Sequence, residues 1–272
     1  MAIPYYHVDA FTSELFAGNP AGVCILSAFL ADSTMQKIAA ENRHSETAFV
    51  VPRADGDFDL RWFTPTIEDD LCGHATLASA YVLALRKHKV WPVRFHTRAG
   101  MLTVAQNGDS FDKDSFEMDF PARPPQPCET PVGLLPALGL KAALVMKSRD
   151  YLVVLDQAEQ VRALSPNIAA LAKIDMGNGG AIVTAPGEGD VDYVCRLFAP
   201  GEGIDEDPAT GSIHCTLAPY WARRLGKDRL GKDTLRAQQL SARGGYMQCT
   251  IAGDRVKIAG RARLYLHGTL EV

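Results

Sequence analysis

The chain has little that would tie it to a membrane, a nucleic acid or a metal. No stretch of its 272 residues approaches the roughly 20 apolar residues needed to cross a bilayer. The segment Met1–Asp9 lacks the basic start and long apolar run of a secretory signal, so a cytoplasmic location is expected. Charge of either sign is nearly balanced, with 28 Lys and Arg against 32 Asp and Glu. That balance offers no electrostatic footprint for nucleic acid or an anionic membrane, and neither is expected as a partner. The six cysteines (24, 72, 128, 195, 215 and 249) are scattered, without the dense spacing of a disulfide scaffold, and are expected to stay thiols. Cys72, His74, His214 and Cys215 lack a recognised zinc spacing. The glycines of 177–180 and 201–203 lack a strand-to-helix phosphate fingerprint. No metal and no cofactor is expected.

What is present is a repeat. Residues 48–51 (AFVV), 60–65 (LRWFTP), 68–74 (EDDLCGH) and 76–78 (TLA) return as 181–184 (AIVT), 195–200 (CRLFAP), 206–212 (EDPATGS) and 216–218 (TLA). Further on, 97–101 (TRAGM) matches 242–246 (ARGGY). A unit of this length, duplicated once, describes two similar domains and not a solenoid. The chain is long enough for each to bury its own core. The proline-rich stretch 121–131 cannot lie in a central strand or a helix interior. We place the boundary there, giving domains 1–122 and 123–272. The strand-like run Ala262–His267 is compatible with a return to the first domain.

Each repeat carries one helix. His74–Lys87 is apolar on nearly every face yet too short for a membrane, so it must be buried on all sides, with strands wrapped around it. Its counterpart runs from Ser212 to Leu225, with Arg223, Arg224 and Gly226 as C-terminal signals. Pro219 is expected to kink that helix or end its first segment. Strands are expected at Tyr5–Phe11, Gly22–Leu26, Thr47–Val51 and Arg61–Pro65. A helix capped by Asp32, Ser33 or Thr34 is expected to follow the second of these.

Both buried helices start beside a glycine, Gly73 or Gly211, and behind an acidic pair, Glu68-Asp69 or Glu206-Asp207. Helix N-termini present unsatisfied amides and a partial positive charge, which suit a carboxylate. Two such termini facing one cleft would hold a small carboxylated substrate. Pairing Gly73 with Gly211 sets Cys72 beside Thr210, His74 beside Ser212 and Asp69 beside Asp207. Upstream, residues 43–46 (RHSE) end in Glu46, whereas 177–180 (GNGG) offer no carboxylate.

Taken together, Phe11, 18–23 (GNPAGV), 43–49 (RHSETAF), 63–65 (FTP), 72–76 (CGHAT) and 206–212 (EDPATGS) resemble the PhzF family of phenazine-biosynthesis-like isomerases. The resemblance implies an α+β, diaminopimelate-epimerase-like fold. Two pseudo-symmetric domains are each a mixed β-barrel wrapped around a central buried α-helix, with the active site in the interdomain cleft. It implies a homodimer and a cofactor-independent proton shift on a dihydro-3-hydroxyanthranilate or a similar small amino or hydroxy carboxylic acid. The catalytic residues it implies are Glu46, His74 and Asp207, with Ser212 at the substrate. A proton shift needs one group that takes a proton from carbon and returns it nearby, the role assigned to Glu46. His74 and Asp207 would hold the substrate's amine and hydroxyl. Ser212, Thr210 and the amides at Gly73 and Gly211 would bind the carboxylate and its developing charge.

Plainer readings stand beside these. Glu46 is also a solvated strand end, His74 a helix cap or a partner of a buried carbonyl, and Asp207 and Ser212 helix caps. Related epimerases use two cysteines on opposite faces of a stereocentre; Cys72 has Thr210 as its repeat partner, so the second thiol is missing and Cys72 reads as a buried structural thiol. The alternatives to a proton-shift isomerase are an epimerase or racemase, and a binding protein that keeps the fold without the chemistry.

Overall fold

The computed structural model of the chain describes residues 1–88, 90–106, 115–226 and 234–272. The chain divides into two compact units, Met1–Phe120 with Ile258–Val272, and Pro121–Lys257. The first contains β1 (Ala2–Ala10), β2 (Asn19–Ile25), α1 (Asp32–Asn42), β3 (Glu46–Pro52), β4 (Phe58–Phe63), β5 (Glu68–Asp69), α2 (Gly73–Leu85), β6 (Val93–Thr97), β7 (Gly100–Gln106) and β8 (Ser115–Pro121). The second contains β9 (Gln126–Pro127), α3 (Leu134–Ala137), β10 (Leu144–Lys147), β11 (Tyr151–Val154), α4 (Ala158–Arg162), α5 (Ile168–Leu171), β12 (Ala181–Pro186), β13 (Tyr193–Ala199), β14 (Ile204–Asp207), α6 (His214–Leu225), β15 (Thr234–Gln239) and β16 (Gly245–Ala252). The last strand, β17 (Arg255–Glu271), returns to the first unit and pairs antiparallel with β1, Ala10 opposite Ala262 and Ala2 opposite Glu271.

That return closes a barrel. Around it run β1, β2, β3, β4, β6, β7, β8 and β17, with β2–β3 and β4–β6 parallel and β5 added to β4 as a short extra strand. Closure leaves no open sheet edge. α2 packs against β1, β2 and β3, and ten of its thirteen residues are buried, the result its lack of a polar face demanded. Two of its polar side chains bond back to the helix itself, Thr76 Oγ1 to the Cys72 carbonyl at 2.5 Å and Ser79 Oγ to that of Ala75 at 2.7 Å. On the other face of the sheet, Met35, Ile38 and Ala39 of α1 cover Phe49, Val51 and Phe63. Strand alternation therefore turns Glu46, Ala48 and Val50 to the α2 side.

The second unit repeats the pairing pattern strand for strand. β10–β11 is antiparallel, β11–β12 parallel, β12–β13 and β13–β14 antiparallel, β13–β15 parallel and β15–β16 antiparallel. α3, α4 and α5 supply the outer layer, closing a core that includes Leu134, Val161, Leu171, Val183 and Phe198.

Several local expectations are corrected. α1 opens at Asp32 with Ala31 in the cap position and no side-chain cap, because Asp32 is drawn instead to Arg61 at 2.8 Å. β4 ends at Phe63, where Thr64 folds into a turn on the Ile67 carbonyl. β1 and β2 lie at Ala2–Ala10 and Asn19–Ile25, displaced toward the N-terminus of the expected runs. α6 begins at His214, not Ser212, after a tight turn in which the amides of His214, Cys215 and Thr216 reach back three residues. Pro219 neither ends the helix nor orphans its carbonyl partner: the Cys215 carbonyl that a residue-219 amide would have bonded accepts from the Arg123 amide at 2.8 Å. Gly226 closes the helix in the left-handed conformation, φ +67°. Among the described residues no helix is long and apolar enough to cross a membrane.

α6 also buries a histidine. His214 is fully inaccessible, its Nδ1 2.7 Å from the Tyr193 hydroxyl, and Tyr193 stacks on Trp221 at 6.0 Å. Burial pushes the His214 imidazole down to about 3. The folded state thus refuses a proton that the unfolded chain accepts below its ordinary value near 6.5, so His214 erodes stability as pH falls through that window. In His214→Gln, stability relative to wild type is expected to improve by about 1.4 kcal/mol for each pH unit between about 6.5 and 3, read from urea unfolding at a series of pH values. A difference that does not change with pH would contradict a neutral, buried His214.

Candidate active site

In both units an arginine fixes the loop that leads to the helix. Arg61 grips Glu68 with two bonds of 2.7 Å, and Arg196 grips Glu206 with bonds of 2.7 and 2.9 Å. Arg196 further donates to the Val161 and Leu164 carbonyls, at 3.2 and 2.8 Å, and lies over the Phe198 ring. The forked, planar guanidinium makes such pairs geometrically strict. Each acidic pair is thereby split: Glu68 and Glu206 are structural, and the following aspartates are left for other work.

In the first unit the remaining polar groups gather where α2 begins. Trp62 faces Asp69 across β4–β5 and Ala48 across β3–β4, so Asp69 shares the α2-facing side with Glu46. Asp69 Oδ1 accepts from the Asp70 amide at 2.7 Å. Burial, and then the neighbouring charge of Glu46, raise the Asp69 carboxyl to about 6. Glu46 and His74 are 6% and 5% exposed, and Glu46 Oε2 lies 3.0 Å from His74 Nε2. The two atoms are not aligned as a hydrogen bond; a small rotation of either group would make one. On the other side of the ring, Nδ1 lies 3.3 Å from Asn19 Nδ2 and 3.5 Å from Cys72 Sγ. Gly18 delivers Asn19: with φ +64°, a Cβ there would lie 2.1 Å from the Ala10 carbonyl oxygen. No side chain caps α2, whose cap position is Cys72, so His74 is not a cap.

Glu46, Cys72 and His74 offer donor atoms within 4.8 Å of one another. Glu46 and Cys72, however, approach opposite nitrogens of the ring. The cluster is a line of acid–base groups.

In the second unit Asp207 is buried at the end of β14. The Thr210 hydroxyl donates to its Oδ2 in a short hydrogen bond. Gln239, wholly buried, braces the loop: its Nε2 donates to the Asp207 carbonyl at 2.7 Å, and its Oε1 accepts from the Thr210 amide at 2.8 Å. Ser241 Oγ donates to the Pro208 carbonyl at 2.6 Å. Thr210, expected at the substrate, also bonds Asp207. Asp207 stands seven residues before α6, whose cap position is Ile213 without a side-chain cap, so neither Asp207 nor Ser212 caps it.

The sequence matches the profile of the phenazine biosynthesis-like protein family over residues 8–268. The chain belongs to that family. An uncharacterized isomerase of Pseudomonas aeruginosa is 51% identical, the match covering all of both chains. A crystal structure of a PhzF-family protein from Enterococcus faecalis, 41% identical, superposes over all of both chains with a TM-score of 0.91. A probable proline racemase from Agrobacterium radiobacter, 13% identical over 99% of this chain and 92% of its own, shares the fold with a TM-score of 0.60. The diaminopimelate-epimerase-like architecture expected of a phenazine biosynthesis-like protein is the one observed.

Sequence reasoning missed four members of these clusters. Asn19 stands in the 18–23 motif without a sign that its side chain reaches His74, although its place after a required glycine marks the position as constrained. Asp69 enters the sequence reading as half of an acidic pair and as the repeat partner of Asp207, not as a neighbour of Glu46. Ser45, whose hydroxyl donates to Asn19 Oδ1 at 3.2 Å, stands next to Glu46 without a signal of its own, and Gln239 carries no local signal.

A half-buried carboxylate under the influence of a second, buried one costs stability. Above pH 6 Asp69 is charged in the fold at a pKa raised to about 6, so Asp69→Asn is expected to stabilise the protein by about 3 kcal/mol at pH 7. The gain shrinks toward zero near pH 4, where the folded Asp69 is already neutral. Chemical denaturation at the two pH values reads this, and a variant no more stable at pH 7 than wild type would contradict the pairing.

Proposed function

We propose that this family member is a cofactor-independent isomerase that shifts a proton by acid–base catalysis on a small amino or hydroxy carboxylic acid, of which a dihydro-3-hydroxyanthranilate is one example. The observation that carries the reading is the contrast among carboxylates: Glu68 and Glu206 are locked by arginines, whereas Glu46 is buried against His74 and a second carboxylate, Asp69. Such a group is poised to move a proton and has no evident structural task. The isomerase description of the Pseudomonas aeruginosa relative agrees with this.

Glu46 takes a proton from a substrate carbon, forming its carboxylic acid as the C–H electron pair moves into the adjoining unsaturated system. The Glu46 carboxyl, after exchanging its proton with solvent, then delivers one to another carbon of the same skeleton, so that one proton leaves and one enters and substrate and product have one composition. His74, at Glu46 Oε2, and Asp207, held by Thr210, contact the substrate's amine and hydroxyl. Ser212 and the amides at Gly73 and Gly211 take its carboxylate and the charge that builds beside it. The same reading takes the protein as a cytoplasmic homodimer.

Epimerisation is the second reading. It is favoured by the shared fold with the racemase and by Cys72 lying 3.5 Å from His74 Nδ1. It is opposed by Thr210 at the place of a second thiol.

Proton NMR in deuterated buffer separates these readings. With a panel of dihydro-3-hydroxyanthranilate and common amino and hydroxy acids, the expected outcome is deuterium entering a product isomer at the newly protonated carbon, with Cys72→Ala retaining activity within a few-fold. Loss of an α-proton signal without isomerisation, abolished in Cys72→Ala, would replace the proposal with an epimerase. Binding of panel acids with neither exchange nor isomerisation would replace it with a non-catalytic binding role.

A further inference from the structure

Asn19 is wholly buried, and its side chain joins two other groups. Ser45 Oγ donates to Asn19 Oδ1 at 3.2 Å, and in this orientation of the amide Nδ2 lies toward His74 Nδ1, 3.3 Å away. An amide NH₂ only donates, so Nδ1 must be an acceptor, and the neutral ring then carries its proton on Nε2. Nε2 is the atom 3.0 Å from Glu46 Oε2. A bare Nε2 there would set a lone pair against a carboxylate in a buried site; a protonated one offers it an N–H. Both sides of the ring select the same tautomer.

We propose that Asn19, oriented by Ser45, is a positioning residue that holds His74 as its Nε2–H tautomer, so that the imidazole presents its proton to Glu46. The proposal rests on the reading of Glu46 as the base. The consequence is directional. While Glu46 is a carboxylate, His74 can donate to it and align it; once Glu46 has gained a proton, the same N–H is free to turn to the substrate. Cys72 also reaches Nδ1, so the assignment to Asn19 has to be separated from one to the thiol.

The test is nitrogen-15 NMR of the histidine ring in the full chain, with His74 assigned by its loss in His74→Gln. The expected wild-type pattern is an unprotonated Nδ1 and a protonated Nε2, unchanged in Cys72→Ala. In Asn19→Asp a carboxylate replaces the donor, and Nδ1 is expected to become protonated, with the ring's titration midpoint raised by a unit or more and solvent deuterium exchange into substrate slowed at least tenfold. Ser45→Ala, the milder change, is expected to give a mixture of tautomers. A protonated Nδ1 in the neutral ring of wild type overturns the proposal, whether or not Asn19→Asp folds. So does a tautomer change in Cys72→Ala, or an Asn19→Asp protein with wild-type ring pattern and exchange rate. If the Glu46 reading alone is wrong, the tautomer pattern stands and Glu46→Gln exchanges deuterium into substrate at the wild-type rate.

Discussion

A helix with no polar face can be stable in water only if something surrounds it, and in the first unit that requirement organises everything else. α2 is enclosed because its residues from Gly73 to Leu83 are almost all buried, and enclosure requires a closed barrel, which β17 completes by returning to β1. The interior of such a barrel is poor ground for polar chemistry. The start of the helix is different, since amides and their positive end have to meet polar partners there. Glu46, Asp69, Cys72, His74 and Asn19 assemble at that end.

The second constraint is the arginine–glutamate fork, made once in each unit. Arg61 with Glu68 and Arg196 with Glu206 hold the short strands β5 and β14 against β4 and β13. They set the adjoining aspartates, Asp69 and Asp207, on the opposite side of those strands. A duplicated scaffold has then been used in two ways. Asp69 lies near a second carboxylate and is pushed toward neutral pH, while Asp207 is tied by Thr210 and a loop braced by Gln239. Where the frame is repeated, the side chains that differ are those at the helix starts.

Much of the frame was legible because repetition is visible without coordinates. The repeat, the enveloped helix and the proline-rich connection follow from patterns of many residues, which survive local error. The motif residues Glu46, His74, Asp207 and Ser212 were legible through family resemblance, and the structure puts Glu46 and His74 in contact. What was not legible depends on long-range partners. That Asp32 would answer to Arg61 and not cap its own helix, or that Arg123 would satisfy the carbonyl released by Pro219, is decided by chain segments far apart in sequence. Gln239 and Asn19 are invisible for the same reason: an amide gives no sign of which backbone group or ring it will reach.

The central claim is that Glu46 moves the proton. It is tested most directly by the rate at which deuterium from solvent enters a substrate turned over by wild type, compared with Glu46→Gln at the same pH. Glutamine keeps the size and hydrogen-bonding capacity of the side chain but cannot accept a proton from carbon, so exchange is expected to fall by roughly 10³-fold or more while the fold is retained. Exchange at the wild-type rate in that variant would show that another group is the base.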